Sequence, residues 1–130
     1  MKNQSNFDSW LKRAKSNLDI AKGGKLTDDI MYEDLCYECQ QSAEKSLKGL
    51  LVFLDAEFPY THSIGKILEL IDVQGIDVPE IIKYAVRLTD YALITRYPAS
   101  EEETISEEEY IEALKLAEQT YDWVKSKLKE

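Results

Sequence analysis

Apolar residues recur at helical spacing along most of this chain, and no stretch alternates between apolar and polar residues as a strand does. The first such stretch runs from about Phe7 to Lys22. Its apolar residues are Phe7, Trp10, Leu11, Ala14, Leu18 and Ala21. Gly23 and Gly24 follow, and glycine commonly ends a helix because it adopts the left-handed conformation without strain. The pattern predicts an amphipathic helix at the start of the chain.

A second helix is predicted from about Ile30 to Asp55, and its two faces differ in chemistry. The apolar face consists of Cys36, Cys39, Ala43, Leu47, Leu50 and Leu54. The opposite, polar stripe consists of Asp34, Glu38, Gln41, Lys45 and Lys48. Residues three and four apart share one side of a helix, so we expect this stripe to face solvent. Glu44 precedes Lys48 by four residues, which is a favourable order for an exposed ion pair.

Capping signals mark the starts of the third and fourth helices. Ser63 or Thr61 is expected to cap the third helix, whose apolar residues are Ile64, Ile67, Leu68 and Ile71. Asp77 and Glu80 form a capping box for the fourth helix, with Pro79 at an early helical position. The residues of this helix that are predicted to face inward are Ile81, Ala85, Leu88, Ala92 and Thr95.

The end of the fourth helix and the start of the fifth can also be placed. The fourth helix is expected to end near Arg96, because Pro98 keeps Tyr97 out of helical geometry. Ser106 and Glu109 form a second capping box before the fifth helix. The apolar residues of the fifth helix are Tyr110, Ala113, Leu114, Ala117, Tyr121, Val124 and Leu128.

The length and the helix pattern together predict one domain over residues 1–130. Connections of short to moderate length favour consecutive helices that lie side by side in opposite directions. We therefore expect an all-α, five-helix antiparallel up-and-down bundle. The composition agrees, because 44% of the residues are hydrophobic and only five glycines and three prolines are present, which disfavours a turn-rich β fold.

The net charge of −9 narrows the classes of partner. It argues against a general nucleic-acid surface or an anionic-membrane surface, since such binding depends on Lys and Arg neutralising phosphates. It leaves room for a local basic pocket. No stretch is long and apolar enough to cross a membrane, and the N-terminus has no apolar signal region, so the expected compartment is cytoplasmic.

Two further patterns are weak signals for a metal or a cofactor, and we expect neither. Cys36 and Cys39 form a C-x-x-C within a helix, without the preceding strand of a redox motif or the further ligands of a zinc site. We interpret them as buried, reduced core residues. Adjacent glutamates such as Glu101 to Glu103 rarely converge on one cation, so this run is interpreted as a solvated loop.

Several residues are candidates for binding an anionic ligand: Gln41, Lys45, Lys48, His62, Arg96 and Tyr97. A lysine binds phosphate as a point charge, and the guanidinium fork of an arginine fits a phosphate or a carboxylate. A tyrosine ring can stack on a base, and a histidine before a helix N-terminus can contact an anion. Each has a plain alternative: a solvated helix face, a helix-dipole contact or a structural loop contact.

The order of these pieces resembles the HEPN domain, a small helical domain named for nucleotide binding. The residues that carry the resemblance are Trp10, Gln41, Ala43, Glu44, Lys45, Leu47, Lys48, His62, Leu68 and the run Arg96-Tyr97-Pro98. The resemblance spans nearly the whole chain and implies a helical bundle that commonly forms a homodimer. It also implies a partner, because many prokaryotic members act beside a minimal nucleotidyltransferase, often as toxin–antitoxin pairs.

The chain departs from the family's ribonuclease members, which carry an arginine followed a few residues later by a histidine at the end of the fourth helix. Arg96 is followed by Tyr97-Pro98-Ala99-Ser100-Glu101-Glu102, and the one histidine of the chain is His62. Metal-independent RNA cleavage needs a group that moves a proton near neutral pH, usually a histidine. We therefore assign no catalytic residue and do not expect an enzyme.

Three functions remain as hypotheses. The first is a non-catalytic HEPN homodimer that binds a nucleotide or a nucleotide-like anion in concert with a minimal nucleotidyltransferase. The second is a helical dimerisation or interaction module without a ligand. The third, a ribonuclease toxin, is the least favoured because the histidine is missing. An unrelated antiparallel bundle would keep the helices and lose the site, because one fold hosts many functions.

Overall fold

The computed structural model describes residues 4–94 and 104–128, and these residues form helices joined by turns and short loops. The helices are α1 (Gln4–Gly23), α2 (Tyr32–Phe53), α3 (Ile64–Val73), α4 (Glu80–Lys83), a 3₁₀ helix (Tyr84–Leu88), α5 (Tyr91–Ile94) and α6 (Glu107–Lys127). The all-α prediction is confirmed. Helix α4, the 3₁₀ helix and α5 follow one another closely and together form the fourth helical region. The two described segments therefore contain five helical regions, as predicted. None of the described helices is long and apolar enough to cross a membrane.

Helix α2 is the centre of the fold. It packs most extensively against α1 and α6, and it also contacts α3, α5 and the 3₁₀ helix. The largest fully buried apolar side chains come from most of the helical regions: Leu18, Leu47, Leu50, Leu51, Ile64, Ile67, Ile71, Leu88 and Val124. Because α2 has neighbours on several sides, little of its surface is left for solvent.

Two predicted caps and two predicted core residues are confirmed. The Ser63 hydroxyl accepts a hydrogen bond from the Lys66 N–H at 3.1 Å, at the start of α3. The Ser106 hydroxyl likewise accepts from the Glu109 N–H at 3.1 Å, at the start of α6. Cys36 and Cys39 are free thiols and fully buried. These features were predictable because caps and helix faces depend on a few neighbouring residues.

The fourth helical region differs from its prediction in three ways. The Asp77–Glu80 capping box is wrong: Pro79 is the N-cap of α4 and no side chain caps the helix. The helix also changes to 3₁₀ geometry at Tyr84. Ile81 was predicted to face inward and is instead exposed, while Ile82 is buried. The predicted inward residues Ala85, Leu88 and Ala92 are buried, so the error is confined to the first turn.

Helix α1 approaches α2 closely at Gly49. A Cβ atom at Gly49 would lie 3.1 Å from the Trp10 Cβ and 3.5 Å from the Leu11 Cδ2. The 3.1 Å contact would require a neighbour to move by a few tenths of an ångström, and the Trp10 Cβ is held by the backbone of α1. The absence of a side chain at Gly49 therefore allows the Trp10 ring to lie beside the polar residues of α2.

Candidate functional site

A connected set of polar side chains lies between the middle of α2 and the loop before α3. Its centre is the Glu44 carboxylate, which accepts hydrogen bonds from Lys48 Nζ at 2.8 Å and from Gln40 Nε2 at 2.6 Å. His62 Nδ1 lies 3.1 and 3.2 Å from the two Glu44 oxygens. We name the following residues the Glu44 cluster: Gln40, Gln41, Glu44, Lys48, Tyr60 and His62.

Local sequence explains how the Glu44 cluster forms. Gln40, Glu44 and Lys48 are spaced by four residues, so successive turns of α2 place them on one side of the helix. His62 lies two residues before α3, and its loop is fixed by two short-range hydrogen bonds. The Thr61 hydroxyl accepts from the Ser63 N–H at 3.0 Å, and Ser63 caps α3. The cap of α3 thus holds the imidazole against α2.

The charges of the Glu44 cluster lie inside the protein. The side chains of Lys48 and Glu44 are only 6% and 5% exposed. The prediction of an exposed Glu44–Lys48 pair is therefore wrong, because the neighbours of α2 enclose this face as well as the apolar one. A buried carboxylate needs several donors, and Lys48 and Gln40 supply two of them. The Lys48 charge is thus balanced within the protein.

Aromatic rings cover the outer side of the Glu44 cluster. Tyr60 is 88% exposed, and its hydroxyl lies 3.1 Å from His62 Nε2. The Tyr60 and His62 rings meet edge to face, with centroids 5.2 Å apart. Lys48 Nζ lies 5.8 Å from the Tyr60 centroid and 5.9 Å from the Trp10 centroid. The buried ion pair therefore lies beneath a partly exposed aromatic surface formed by Trp10, Tyr60 and His62.

The six predicted ligand-binding residues are distributed over three places. Lys48 and His62 meet at Glu44, and Gln41 joins them because its Nε2 donates to Gln40 Oε1 at 2.8 Å. Lys45 belongs to a second network, described below. Arg96 and Tyr97 lie outside the described residues, so their part in a site remains a prediction.

Lys45 links α1 to α2 rather than joining the Glu44 cluster. Its Nζ donates to Asn17 Oδ1 at 2.9 Å, and Asn17 Nδ2 donates to Glu38 Oε1 at 2.6 Å. Burial lowers the pKa of the Lys45 ammonium, and nearby Arg13 lowers it further, while Glu38 opposes them. The hydrogen bond to Asn17 therefore satisfies an ammonium that has lost part of its hydration.

Sequence reasoning missed four members of this region: Gln40, Glu44, Tyr60 and Trp10. Glu44 and Lys48 were predicted to form an exposed pair, and no ligand role was predicted for Gln40, Tyr60 or Trp10. The repeat of long polar side chains at positions 40, 44 and 48 was an available signal. These three positions border the apolar residues Ala43 and Leu47, which marks them as a polar series next to the core face of α2.

A second polar contact lies near the end of the described fourth region. The Tyr91 hydroxyl donates to Glu109 Oε2 at 2.6 Å, beside a cavity of about 270 Å³ that Arg87 and Glu112 also line. Burial and the Glu109 contact raise the pKa of Tyr91. Within residues 4–94 and 104–128, no group of three or more His, Cys, Asp and Glu side chains could hold a metal ion.

Known proteins similar to this chain share its fold over nearly its whole length. The chain is 29% identical to an archaeal HEPN homologue, ST0689, with a TM-score of 0.72 over 94% of this chain and 97% of that one. It is 32% identical to TT1696 from Thermus thermophilus, with a TM-score of 0.75 over 98% and 99% of the two chains. No curated protein is similar to it at a significant level.

The family model agrees with these structures. A model described as the HEPN domain matches residues 7–127. This range includes all of α2 to α6 and most of α1, and therefore the whole Glu44 cluster. The chain belongs to the HEPN domain family.

Proposed function

We propose that this chain is a non-catalytic HEPN-domain protein that binds a nucleotide through its base at the Glu44 cluster. It acts as a homodimer and as the partner of a minimal nucleotidyltransferase, as the family resemblance implies. The observation that carries the ligand is the exposed Tyr60 ring, which meets His62 edge to face and lies 5.8 Å from the ammonium of the buried Glu44–Lys48 pair.

The aromatic surface supports recognition of a base. Every nucleobase has a flat face, and stacking on an aromatic side chain contributes roughly 1–3 kcal/mol per base. Tyr60 offers an exposed ring for such stacking. His62 is 38% exposed, and its Nε2 contacts the exposed Tyr60 hydroxyl at 3.1 Å. The edge of a base can replace that hydroxyl at Nε2 or bond to the Tyr60 hydroxyl itself.

The same geometry makes Lys45 and Lys48 poor contacts for the phosphates of a nucleotide. Lys48 is paired with Glu44 at 2.8 Å, so its charge is balanced within the protein. The ammonium of Lys45 is held against α1 by its hydrogen bond to the Asn17 amide. Arg96, whose guanidinium suits phosphate, is the predicted phosphate contact, with Tyr97 beside it. The proposal therefore assigns the base to Tyr60 and His62 and the phosphate to Arg96.

Titration calorimetry with matched nucleosides and nucleotides tests this assignment. Adenosine, AMP, ATP, guanosine and GTP are titrated into the wild type, Tyr60→Ala and Arg96→Ala. At least one nucleoside is expected to bind, and Tyr60→Ala is expected to weaken it about tenfold or more, the loss of one stacked ring. Arg96→Ala is expected to weaken the nucleotide but not its nucleoside.

The matched control is Tyr84→Ala, which removes another exposed tyrosine, on the 3₁₀ helix. It is expected to leave nucleoside affinity unchanged. The absence of heat with all five compounds, together with the absence of a thermal shift, would refute the nucleotide proposal. Equal losses in Tyr60→Ala and Tyr84→Ala would refute the assignment to the Glu44 cluster.

A specific observation favours the interaction module as a second candidate. Ile81, Tyr84 and Val86, within one short stretch of the fourth helical region, are 48%, 52% and 46% exposed. Exposed apolar side chains that cluster commonly mark a protein interface. Light scattering on the wild type and on Ile81→Lys/Val86→Lys tests this interface. A wild-type dimer that becomes a monomer in the variant supports the interface, and an unchanged mass contradicts it.

A ribonuclease toxin is the least supported function. The single histidine, His62, contacts Glu44 and Tyr60 on the α2–α3 side, and Arg96 is followed by no histidine. Reproducible RNA cleavage by nuclease-free protein, abolished by Arg96→Ala, would overturn the non-catalytic assignment.

A further inference from the structure

A groove separate from the Glu44 cluster runs between the first turns of α1 and the last turns of α6. Its volume is about 460 Å³, within the range of roughly 300–1,000 Å³ that small-molecule sites occupy. The apolar residues that line it are Phe7, Leu11, Tyr121 and Leu128, and its charged residues are Asp8, Lys12, Lys15 and Lys125. We name these eight residues the α1–α6 groove.

The charge of the groove is opposite to that of the whole chain. Three lysines and one aspartate give its lining a formal charge of +2, in a protein whose net charge is −9. Lys15 is paired with Asp19, which is outside the groove, at 2.8 Å. Lys125 lies 5.9 Å from the Tyr121 ring centroid. Cations are thus concentrated at the edge of an apolar surface, although acids outnumber bases in the chain.

This combination selects a ligand of one chemical class. An apolar lining stabilises an apolar body by removing it from water, and a lysine attracts a single anionic head. A compact polyanion would gain little from the apolar lining, and a neutral apolar molecule would gain little from the lysines. We propose that the α1–α6 groove binds a soluble, single-chain amphipathic anion, such as a medium-chain carboxylate or alkyl phosphate.

The lysines and the apolar lining have distinct roles. Lys12 and Lys125 come from the two helices that form the groove, so they can contact one head group from opposite sides. Tyr121 and Leu11 belong to the core and are 9% and 8% exposed, and these exposed edges form the floor on which the chain of the ligand lies. This site is independent of the nucleotide proposal, because none of its residues belongs to the Glu44 cluster.

The test uses decanoate below its micelle concentration as the probe, measured by calorimetry on the full chain. The wild type is expected to bind decanoate, and Lys12→Ala/Lys125→Ala to bind it roughly 2- to 30-fold more weakly, as the loss of two exposed charge contacts implies. The matched control, Lys66→Ala/Lys115→Ala, removes two exposed lysines outside the groove and is expected to bind like the wild type.

Two further arms make each outcome decisive. Decanol, which keeps the chain and lacks the charge, is expected to bind weakly and equally to all three proteins. Vesicles of phosphatidylglycerol are expected not to retain the protein. The absence of decanoate binding, an equal loss in both double variants, or retention by vesicles without binding of free decanoate would each overturn the proposal. Because Lys12 and Lys125 are exposed, their replacement leaves the core intact.

Discussion

Two sides of α2 carry different chemistry, and yet each is buried near the middle of the helix. One face presents the thiols of Cys36 and Cys39, which are fully buried. The other presents Glu44 and Lys48, which are nearly as buried. The position of α2 among its neighbours, rather than residue type, decides this burial. The comparison teaches that a polar stripe on a central helix is not evidence of a solvent-facing surface.

The two faces differ in what burial demands of them. A thiol is a small hydrophobe with weak hydrogen-bonding ability, so it can be buried without partners. A carboxylate or an ammonium loses several kcal/mol of hydration and must recover it from partners. Glu44 therefore contacts Lys48, Gln40 and His62. This requirement organises the aromatic surface, because the contact to His62 fixes the loop that carries Tyr60.

The largest expected effect follows from removing one partner of the buried pair. Glu44→Gln leaves the Lys48 ammonium buried without a counter-charge, and such losses typically cost about 3–5 kcal/mol. We expect the free energy of unfolding to fall by about that amount, measured by urea denaturation near neutral pH. The matched control is Glu118→Gln, which removes the partner of Lys22 in an exposed pair and is expected to cost no more than about 1 kcal/mol.

A double variant separates the charge effect from packing. Glu44→Gln/Lys48→Met removes both charges and keeps side chains of similar length, so it is expected to recover much of the stability lost in Glu44→Gln. If the double variant is instead less stable than Glu44→Gln by the full cost of a second core mutation, the pair is not acting through its charges.

The thiol face predicts a loss of stability in alkaline solution. Burial raises the pKa of the Cys36 thiol from 9.0 to about 12, and it raises that of Cys39 as well. Above pH 9 the unfolded chain releases these protons while the folded chain keeps them. The contribution of the buried thiols to the free energy of unfolding is therefore fully present below pH 9. It falls between pH 9 and about pH 12, by up to about 1.4 kcal/mol per pH unit for each thiol.

Removing the thiols isolates their share of this loss. Cys36→Val/Cys39→Val keeps an apolar side chain of similar size at both positions and has nothing to ionise there. Urea unfolding in the presence of a reductant, at about pH 8 and about pH 10.5, is expected to show a smaller decrease in the double variant than in the wild type. An equal decrease in the two proteins would mean that other groups, such as the buried Tyr91, account for it.

The helical regions could be predicted from the sequence because their signals are local. Ser63 and Ser106 sit immediately before apolar repeats, and their caps form as predicted. The same locality explains the error at Ile81. Pro79 suits either the N-cap or the first helical turn, and the helix begins one residue after it. Ile82 rather than Ile81 is therefore the first buried residue of α4, whereas Ala85, Leu88 and Ala92 are buried as predicted.

The candidate site was only partly predictable because it depends on contacts between distant residues. The stripe of Gln41, Lys45 and Lys48 predicted polar residues in the right helix. The stripe did not indicate which helix packs against each of these three residues. Lys45 is satisfied by Asn17 of α1, whereas Lys48 is satisfied within α2 and lies near the Trp10 ring. That division follows from the close approach of α1 at Gly49, which periodicity alone does not reveal.

The smallest expected effect concerns Lys45, which lies on the polar stripe of α2 where α1 packs against it. Because burial lowers the pKa of this ammonium, folding disfavours its charged form, and Lys45→Met relieves that cost at neutral pH. The substitution also removes the hydrogen bond to Asn17, a loss of about 0.5–1.5 kcal/mol. The two terms oppose each other, so we expect the free energy of unfolding to change by less than about 1 kcal/mol.

Urea denaturation of Lys45→Met and Lys48→Met side by side checks this, since Lys48→Met leaves the Glu44 carboxylate buried without its main counter-charge. If the two variants lose equal stability, the different partners of Lys45 and Lys48 do not affect stability differently, and this prediction is wrong.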